Sequence, residues 1–347
     1  MSNKQTVYWI VDKKSDHLHK ADEIKEAALW IKKGEVVAFP TETVYGLGGN
    51  ALMESAIEKI FRAKGRPNDN PLIVHIASKD QLAELVSTIP LLAEKLMDAF
   101  WPGPLTIILP SKHTVSSRVT ANLPTIAIRI PDHPVALALL KEAAVPVAAP
   151  SANVSGKPSP TTAEHVKHDL SGKIQGIVDG GKTGVGVEST VVDCTEVVPV
   201  ILRPGGITKD QLEQVVGPVK VDPALFEEGS APRSPGVKYT HYAPNAEMYL
   251  VVDHSQRIQG FVDQLRREGK RVGVMTTHEH VDQYEADLIL PCGYREDLET
   301  VASDLYETLR KFDEHDIDMI LAETFPKQGV GVAIMNRLEK AAGKRFL

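Results

Sequence analysis

Residues 35–49 read Glu35-Val36-Val37-Ala38-Phe39-Pro40-Thr41-Glu42-Thr43-Val44-Tyr45-Gly46-Leu47-Gly48-Gly49, and the fold is decided here. The run Val36–Phe39 is short, continuously apolar and stopped by Pro40, the pattern of a strand buried on both faces. Ahead of it Ile24, Ala27, Ala28 and Ile31 recur at helical spacing, with Asp22 as a candidate cap and Gly34 as a stop. A helix that feeds a doubly buried strand belongs to an α/β domain. The same reading places further strands at 72–76, 105–109, 126–130, 145–149, 190–193 and 200–202. Helices near 54–63, 79–87, 91–100, 133–143, 161–169 and 208–215 lie between several of them, so the expectation is an α/β domain around a largely buried mixed sheet.

Outward from this domain the pattern breaks between Gly217 and Asn245, a stretch rich in proline and glycine without a sustained period. Its cluster Ser234–Tyr242 holds more reactive and aromatic groups than a passive spacer needs, so it reads as a lid. Strand-like runs then return at 248–252, 272–275, 287–290 and 318–322, alternating with helices near 255–268, 296–312 and 329–341. The expected domains are therefore 1–217, a linker or lid over 218–245, and a smaller α/β domain over 246–347. A chain of 347 residues is long for one domain, and 42% hydrophobic with 24% charged residues excludes disorder throughout.

A net charge of −7 argues against a surface built to wrap a nucleic-acid backbone, which needs an excess of lysine and arginine. Cys194 and Cys292 are the only cysteines and lack metal-ligand spacing, which argues against a disulfide scaffold or a thiolate zinc site. With no apolar run of membrane-spanning length and no signal-peptide core, the expected location is the cytoplasm. The 12 histidines include no HExxH pair, and His278-Glu279-His280 reads as a solvated loop, so no protein-held metal is expected.

Three segments and a few single residues could carry chemistry. In Pro40–Gly49 the hydroxyls of Thr41, Thr43 and Tyr45 follow a buried strand, where ligands of open α/β sheets sit. An ordinary glycine-rich turn is the alternative. In Ala63-Lys64-Gly65-Arg66-Pro67-Asn68-Asp69-Asn70-Pro71-Leu72, a point charge and a planar fork flank a glycine and can converge on a phosphate chain. A helix C-cap explains Lys64, but it explains Arg66, Asn70 and His75 less well. In Ala148–Gly156 the short polar groups of Ser151 and Asn153 suit phosphate or ribose, or else form a turn. Arg129 and Arg203 stand in apolar strands and ask for an anionic partner, either a ligand or an internal carboxylate. Ser189 follows a glycine-rich turn that its hydroxyl could equally cap.

Together PTETVYGLG, KGRPNDNPL, APSANVSG, ESTVVD, VILRPGG and SPGVKYTHYAP resemble, in order and spacing, the threonylcarbamoyl-AMP synthases of the YrdC-like family in their two-domain form. The resemblance implies a YrdC-like twisted mixed-sheet domain with flanking helices, followed by a smaller Rossmann-like α/β domain. It implies that ATP, L-threonine and bicarbonate or CO2 give L-threonylcarbamoyl-AMP and pyrophosphate, a product that supplies modification of the tRNA adenosine beside the anticodon. Lys64, Arg66, Ser151 and Asn153 would hold the phosphates, with Lys64 and Arg66 stabilising developing charge. Asn70, Thr125, Ser159, Arg203 and a lid residue, His241 or Tyr242, would complete the nucleotide site. Thr43, His75, Arg129, Ala149 and Ser189 would line the threonine site, with Arg129 on the carboxylate.

Mg2+ is expected to enter with ATP, and transient contact with the downstream tRNA threonylcarbamoyl-transfer machinery is expected, whereas the net charge does not support direct tRNA binding. Two other readings compete. A non-catalytic RNA-binding module is disfavoured by the acidic charge, and a carbamoyl-transfer enzyme of hydrogenase maturation is disfavoured by the scarcity of cysteine.

Overall fold

The structure, a computed structural model, describes residues 5–67, 70–225, 242–252 and 254–347. The chain divides into two compact units. The first holds Met1–Ser155, Pro160–Gly184 and Glu188–Lys238, and the second holds Gly156–Ser159, Val185–Val187 and Tyr239–Leu347.

The first unit is built on β1 (Val7–Ile10), β2 (Val37–Phe39), β3 (Gly46–Asn50), β4 (Ile73–His75), β5 (Leu105–Pro110), β6 (Thr125–Arg129), β7 (Val147–Ala148), β8 (Gly176–Asp179), β9 (Thr190–Asp193), β10 (Val200–Arg203) and β11 (Lys220–Val221). These form one sheet in the order β1-β8-β2-β3-β7-β4-β6-β5-β9-β10-β11. It is mixed: β4 runs parallel to β6, while β3 is antiparallel to both β2 and β7. Burial on both faces of β2 follows the two-residue alternation of a strand. Val36 and Ala38 enter one apolar cluster with Ile57, Ile60 and Leu105. Val37 and Phe39 enter another with Ile24, Ile31, Leu139 and Leu140, from the helices Asp22–Lys32 and Pro134–Ala143. Each large side chain so removed from water contributes about 1.5–3 kcal/mol before the entropy of ordering is subtracted.

The structure departs from the sequence reading in specific places. The second half of Pro40–Gly49 is not a turn but strand β3. Gly48 is required by packing: a Cβ there would lie 2.7 Å from the Phe39 ring and 2.9 Å from Val147 Cγ1. Strands β1, β8 and β11 were not anticipated. Asp22 is the first residue of its helix rather than the cap, which is Ala21, and its carboxylate pairs with Lys25. The helix expected near 79–87 is a 3-10 turn, Lys79–Gln81, followed by the short helix Leu82–Leu85.

The second unit carries β12 (Glu247–Val251), β13 (Val272–Thr276), β14 (Leu288–Pro291) and β15 (Met319–Glu323), all parallel, in the order β12-β15-β13-β14. Its core includes Val251, Ile258, Val262, Val274 and Leu321. A parallel sheet connected by helices is the Rossmann-like arrangement expected. His280 is not a solvated loop residue, because its Nδ1 lies 2.9 Å from the fully buried carboxylate of Glu323. Among the described residues no helix is long and apolar enough to cross a membrane.

Candidate functional site

The strand–loop order places Thr41–Tyr45 directly after β2, and the loop closes on itself. Thr41 Oγ1 donates to the Val44 carbonyl at 2.7 Å and lies 2.8 Å from Thr43 Oγ1. Thr43 Oγ1 in turn accepts from Arg129 Nη1 at 2.9 Å, so the loop is tied to the end of β6. Arg129 is 3% exposed, and its Nε donates to the Gly103 carbonyl at 3.2 Å. Its Nη2 lies 2.5 Å from Glu42 Oε2. That approach lacks hydrogen-bond alignment: among the described residues, Nη2 and both Glu42 carboxylate oxygens are buried without a hydrogen-bond partner.

His75 is the register partner of Arg129 on the adjacent parallel strand. Burial first, and then the Arg129 charge, push its imidazole down to about 3, against the pull of the Ile73 and Val147 backbone. It is therefore neutral near pH 7, a hydrogen-bonding group rather than a cation. Asp132, three residues beyond β6, has its carboxyl raised by burial and by Glu42, with Arg129 opposing. Ala149 lies beside this group, with its amide donating to the Ile73 carbonyl at 2.9 Å.

A second cluster forms where the helix Glu54–Lys64 ends. Gly65 adopts φ 62, the left-handed conformation that terminates a helix, so the C-cap explanation of this segment holds. It does not exhaust Lys64, whose buried Nζ donates to the Ser151 carbonyl at 2.5 Å and the Asn153 carbonyl at 2.7 Å. The Ser155 amide donates to the Lys64 carbonyl at 2.9 Å, fastening the two segments from both sides. Ser151 forms a bridge with Gly46, and the Ala152 amide donates to the Tyr45 carbonyl at 2.8 Å. The Lys64–Ser151–Asn153 cluster and the Thr43 loop are thus joined through β3. Arg66 stands two residues beyond Lys64 and, with Arg62, Arg118, Gly65, Glu58 and Phe61, lines an open cavity of about 350 Å³.

Arg203 and Ser189 form a third cluster. Arg203 Nε and Nη2 donate to the Ser189 carbonyl at 3.1 and 2.9 Å, and Nη2 reaches Ser189 Oγ at 3.1 Å. Ser189 Oγ also lies 2.7 Å from Thr106 Oγ1. Thr125 opens β6 and Arg129 closes it, which separates them by roughly 13 Å along the strand. The register Ile73–Ala127 puts Asn70 at the same edge as Thr125. The Asn70 side chain is buried, and its Oδ1 has no partner among the described residues.

Ser159 is fully buried in the segment Gly156–Ser159 of the second unit, where Arg310 donates to the neighbouring Pro158 carbonyl at 2.5 Å. Tyr242, with φ 66, packs its ring 5.1 Å from that of Tyr306 and 5.7 Å from the Arg337 guanidinium. His241 and the lid segment Ser234–His241 lie outside the described residues. Glu42 and Asp132 were not singled out in the sequence. The available signal for Glu42 is a lone acid between two threonines in an otherwise buried segment.

The fold and these clusters define a two-unit α/β protein that concentrates buried cationic, hydroxyl and carboxamide groups along one mixed sheet, the chemistry of a site for small anionic molecules. A family model described as "Telomere recombination", that of the Sua5, YciO and YrdC proteins, matches residues 30–205, and one described as "Threonylcarbamoyl-AMP synthase, C-terminal domain" matches residues 207–343. The chain belongs to the Sua5/YciO/YrdC family, in its two-domain form. It is 56% identical to a threonylcarbamoyl-AMP synthase of Bacillus subtilis over 99% of both chains, and 48% identical to one of Pyrococcus abyssi over 94% of this chain and 95% of that one. The crystal structure of P. abyssi Sua5 complexed with L-threonine matches with a TM-score of 0.93 at 46% identity, covering 99% of each chain.

Proposed function

We propose that this chain is an L-threonylcarbamoyladenylate synthase, which forms L-threonylcarbamoyl-AMP and pyrophosphate from L-threonine, bicarbonate or CO2, and ATP. The observation that carries the reading is the joining of the Lys64–Ser151–Asn153 cluster to the Thr43–Arg129–His75 cluster through one strand, in a chain similar over its full length to synthases of that name. Arg129 takes the threonine carboxylate, and neutral His75, Thr43, Ala149 and Ser189 line the rest of the amino-acid site. Lys64, Arg66, Ser151 and Asn153 hold the phosphates, Asn70, Thr125, Ser159 and Arg203 assist with the nucleotide, and His241 or Tyr242 contributes the linker's residue to it.

The threonine amine adds to CO2, and a carbamate oxygen then attacks the α-phosphate in line as pyrophosphate leaves. Lys64 and Arg66 stabilise the charge that develops, and no protein nucleophile is required. Lys64 is held by two carbonyls before the substrate arrives, so little reorganisation accompanies catalysis. Mg2+ would arrive on the triphosphate. The ammonium of Lys64 and the hydroxyl of Ser151 are donors, which suit phosphate rather than a dedicated metal cage, and this fits a magnesium ion that keeps water and phosphate ligands.

Pyrophosphate release from ATP should require threonine, bicarbonate and Mg2+ together. Release unchanged when threonine is omitted would sink the reading. The product would supply threonylcarbamoyl for tRNA adenosine, with handover to the transfer machinery and no direct tRNA binding, which a filter-binding assay at low salt would check. A cytoplasmic location fits two buried free cysteines, and cell fractionation would test it.

A further inference from the structure

We propose that Glu42 receives the ammonium group of the amino-acid substrate, so that Glu42 and Arg129 act as a clamp for a zwitterion. The inference rests on the reading that Arg129 takes the threonine carboxylate.

The Glu42 side chain is 12% exposed, and both of its oxygens are cut off from water without a hydrogen-bond donor among the described residues. A desolvated carboxylate is costly unless donors reach it. Among the described residues its ion-pair partner, Arg129 Nη2, stands at 2.5 Å but out of hydrogen-bond alignment. The rest of the guanidinium is committed, with Nε on the Gly103 carbonyl and Nη1 on Thr43 Oγ1. The corner of Arg129 that faces Glu42 is therefore the corner without a hydrogen bond among the described residues, and two buried opposite charges meet there as an ion pair that aligned donors and acceptors of a ligand would improve.

An α-amino acid carries a carboxylate and an ammonium two bonds apart, which matches this demand. Its carboxylate supplies acceptors for Nη2 and its ammonium supplies donors for Glu42, so one misaligned pair is replaced by two aligned ones. A simple carboxylic acid does not match. With Glu42 and Asp132 already beside Arg129, it would bring a third negative charge to one guanidinium, whereas a zwitterion brings none. Glu42 is thus a specificity-determining residue that selects an unsubstituted α-ammonium, the group that gives the carbamate once it has lost a proton to solvent, added to CO2 and released a second proton.

The test is calorimetric titration of the full chain with L-threonine and with 3-hydroxybutanoate, which keeps the carboxylate and hydroxyl but lacks the amine. Wild type should prefer threonine by about 30-fold or more, the range measured when one partner of a buried charged hydrogen bond is removed. Glu42→Gln should lose threonine affinity by a similar factor, bind 3-hydroxybutanoate no worse than wild type, and keep its ATP affinity within about twofold. Glu42→Asp, which keeps the charge, should retain much of the preference.

A Glu42→Gln protein that binds ATP and still prefers threonine as wild type does would overturn the proposal. Equal affinity of wild type for the two ligands would overturn it without any variant, so a poorly folded Glu42→Gln does not shelter it. Wild type that binds neither threonine nor ATP would instead remove the functional reading, and the clamp with it.

Discussion

Two buried histidines should make the protein acid-labile by an amount that follows from their surroundings. Burial and the Arg129 charge hold His75 down to about 3. Burial first, then the charge of Lys13, hold His133 down to about 4, with Glu42 opposing. In the unfolded chain both rings titrate near 6.5, so as pH falls below that value the unfolded state binds protons that the folded state refuses. Stability is therefore fully present above about pH 6.5 and declines until the folded values are passed. Linkage gives about 2 kcal/mol lost per histidine between pH 7 and 5, or about 4 kcal/mol together, a large part of a typical net stability. Urea unfolding at pH 7, 6 and 5 should show this decline in wild type, and His75→Gln should show about half of it. Proton NMR should show the His75 ring signal stationary down to pH 5. A His75 resonance that moves between pH 6 and 7, or a His75→Gln protein that loses stability as steeply as wild type, would refute the reasoning.

The remaining predictions concern the phosphate cluster and β3. Lys64→Ala and Arg66→Ala should each lower threonine-dependent pyrophosphate release by roughly 10²–10³-fold, the cost of removing a preorganised group from developing charge, and wild-type turnover in both would reject the assignment. Lys64→Ala should also lower the melting temperature by several degrees, because two buried carbonyls lose a charged donor at about 1.5–3 kcal/mol each, partly offset by entering water. Arg66→Ala, whose residue lines an open cavity, should melt closer to wild type. Gly48→Val should destabilise by about 1–3 kcal/mol or more, since its side chain must displace Phe39 and Val147, and an unchanged thermal melt would contradict the close packing of β2, β3 and β7.

The parts of the fold that could be read in the sequence are those whose cause is local. Val36–Phe39 is apolar without interruption because both faces of β2 are covered, and the helices around it show their buried faces at regular spacing. Strand β3 was hidden because its cause is distant: Gly48 must be glycine on account of Phe39 and Val147, and a glycine-rich stretch looks like a turn until those neighbours are known. Charge in an apolar context marked Lys64, Arg129 and Arg203, but it left open whether each met a ligand or the protein itself.

The structure shows protein partners for all three, and it differentiates them. Lys64 holds the backbone of Ser151 and Asn153, and Arg203 holds that of Ser189, so both charges fix the shape of the segments they bind. Arg129 meets a carboxylate, as a structural ion pair would, yet it does so out of alignment, and among the described residues neither its Nη2 nor the Glu42 oxygens make a hydrogen bond. A pair that served stability alone would gain by aligning, because desolvation of two charges is recovered only through good geometry. A misaligned buried ion pair is what the proposed clamp requires, because the carboxylate and ammonium of a zwitterion would supply the aligned partners. The clamp needs Glu42 as much as Arg129, and the mark of Glu42 in the sequence is slight, a lone acid between two threonines.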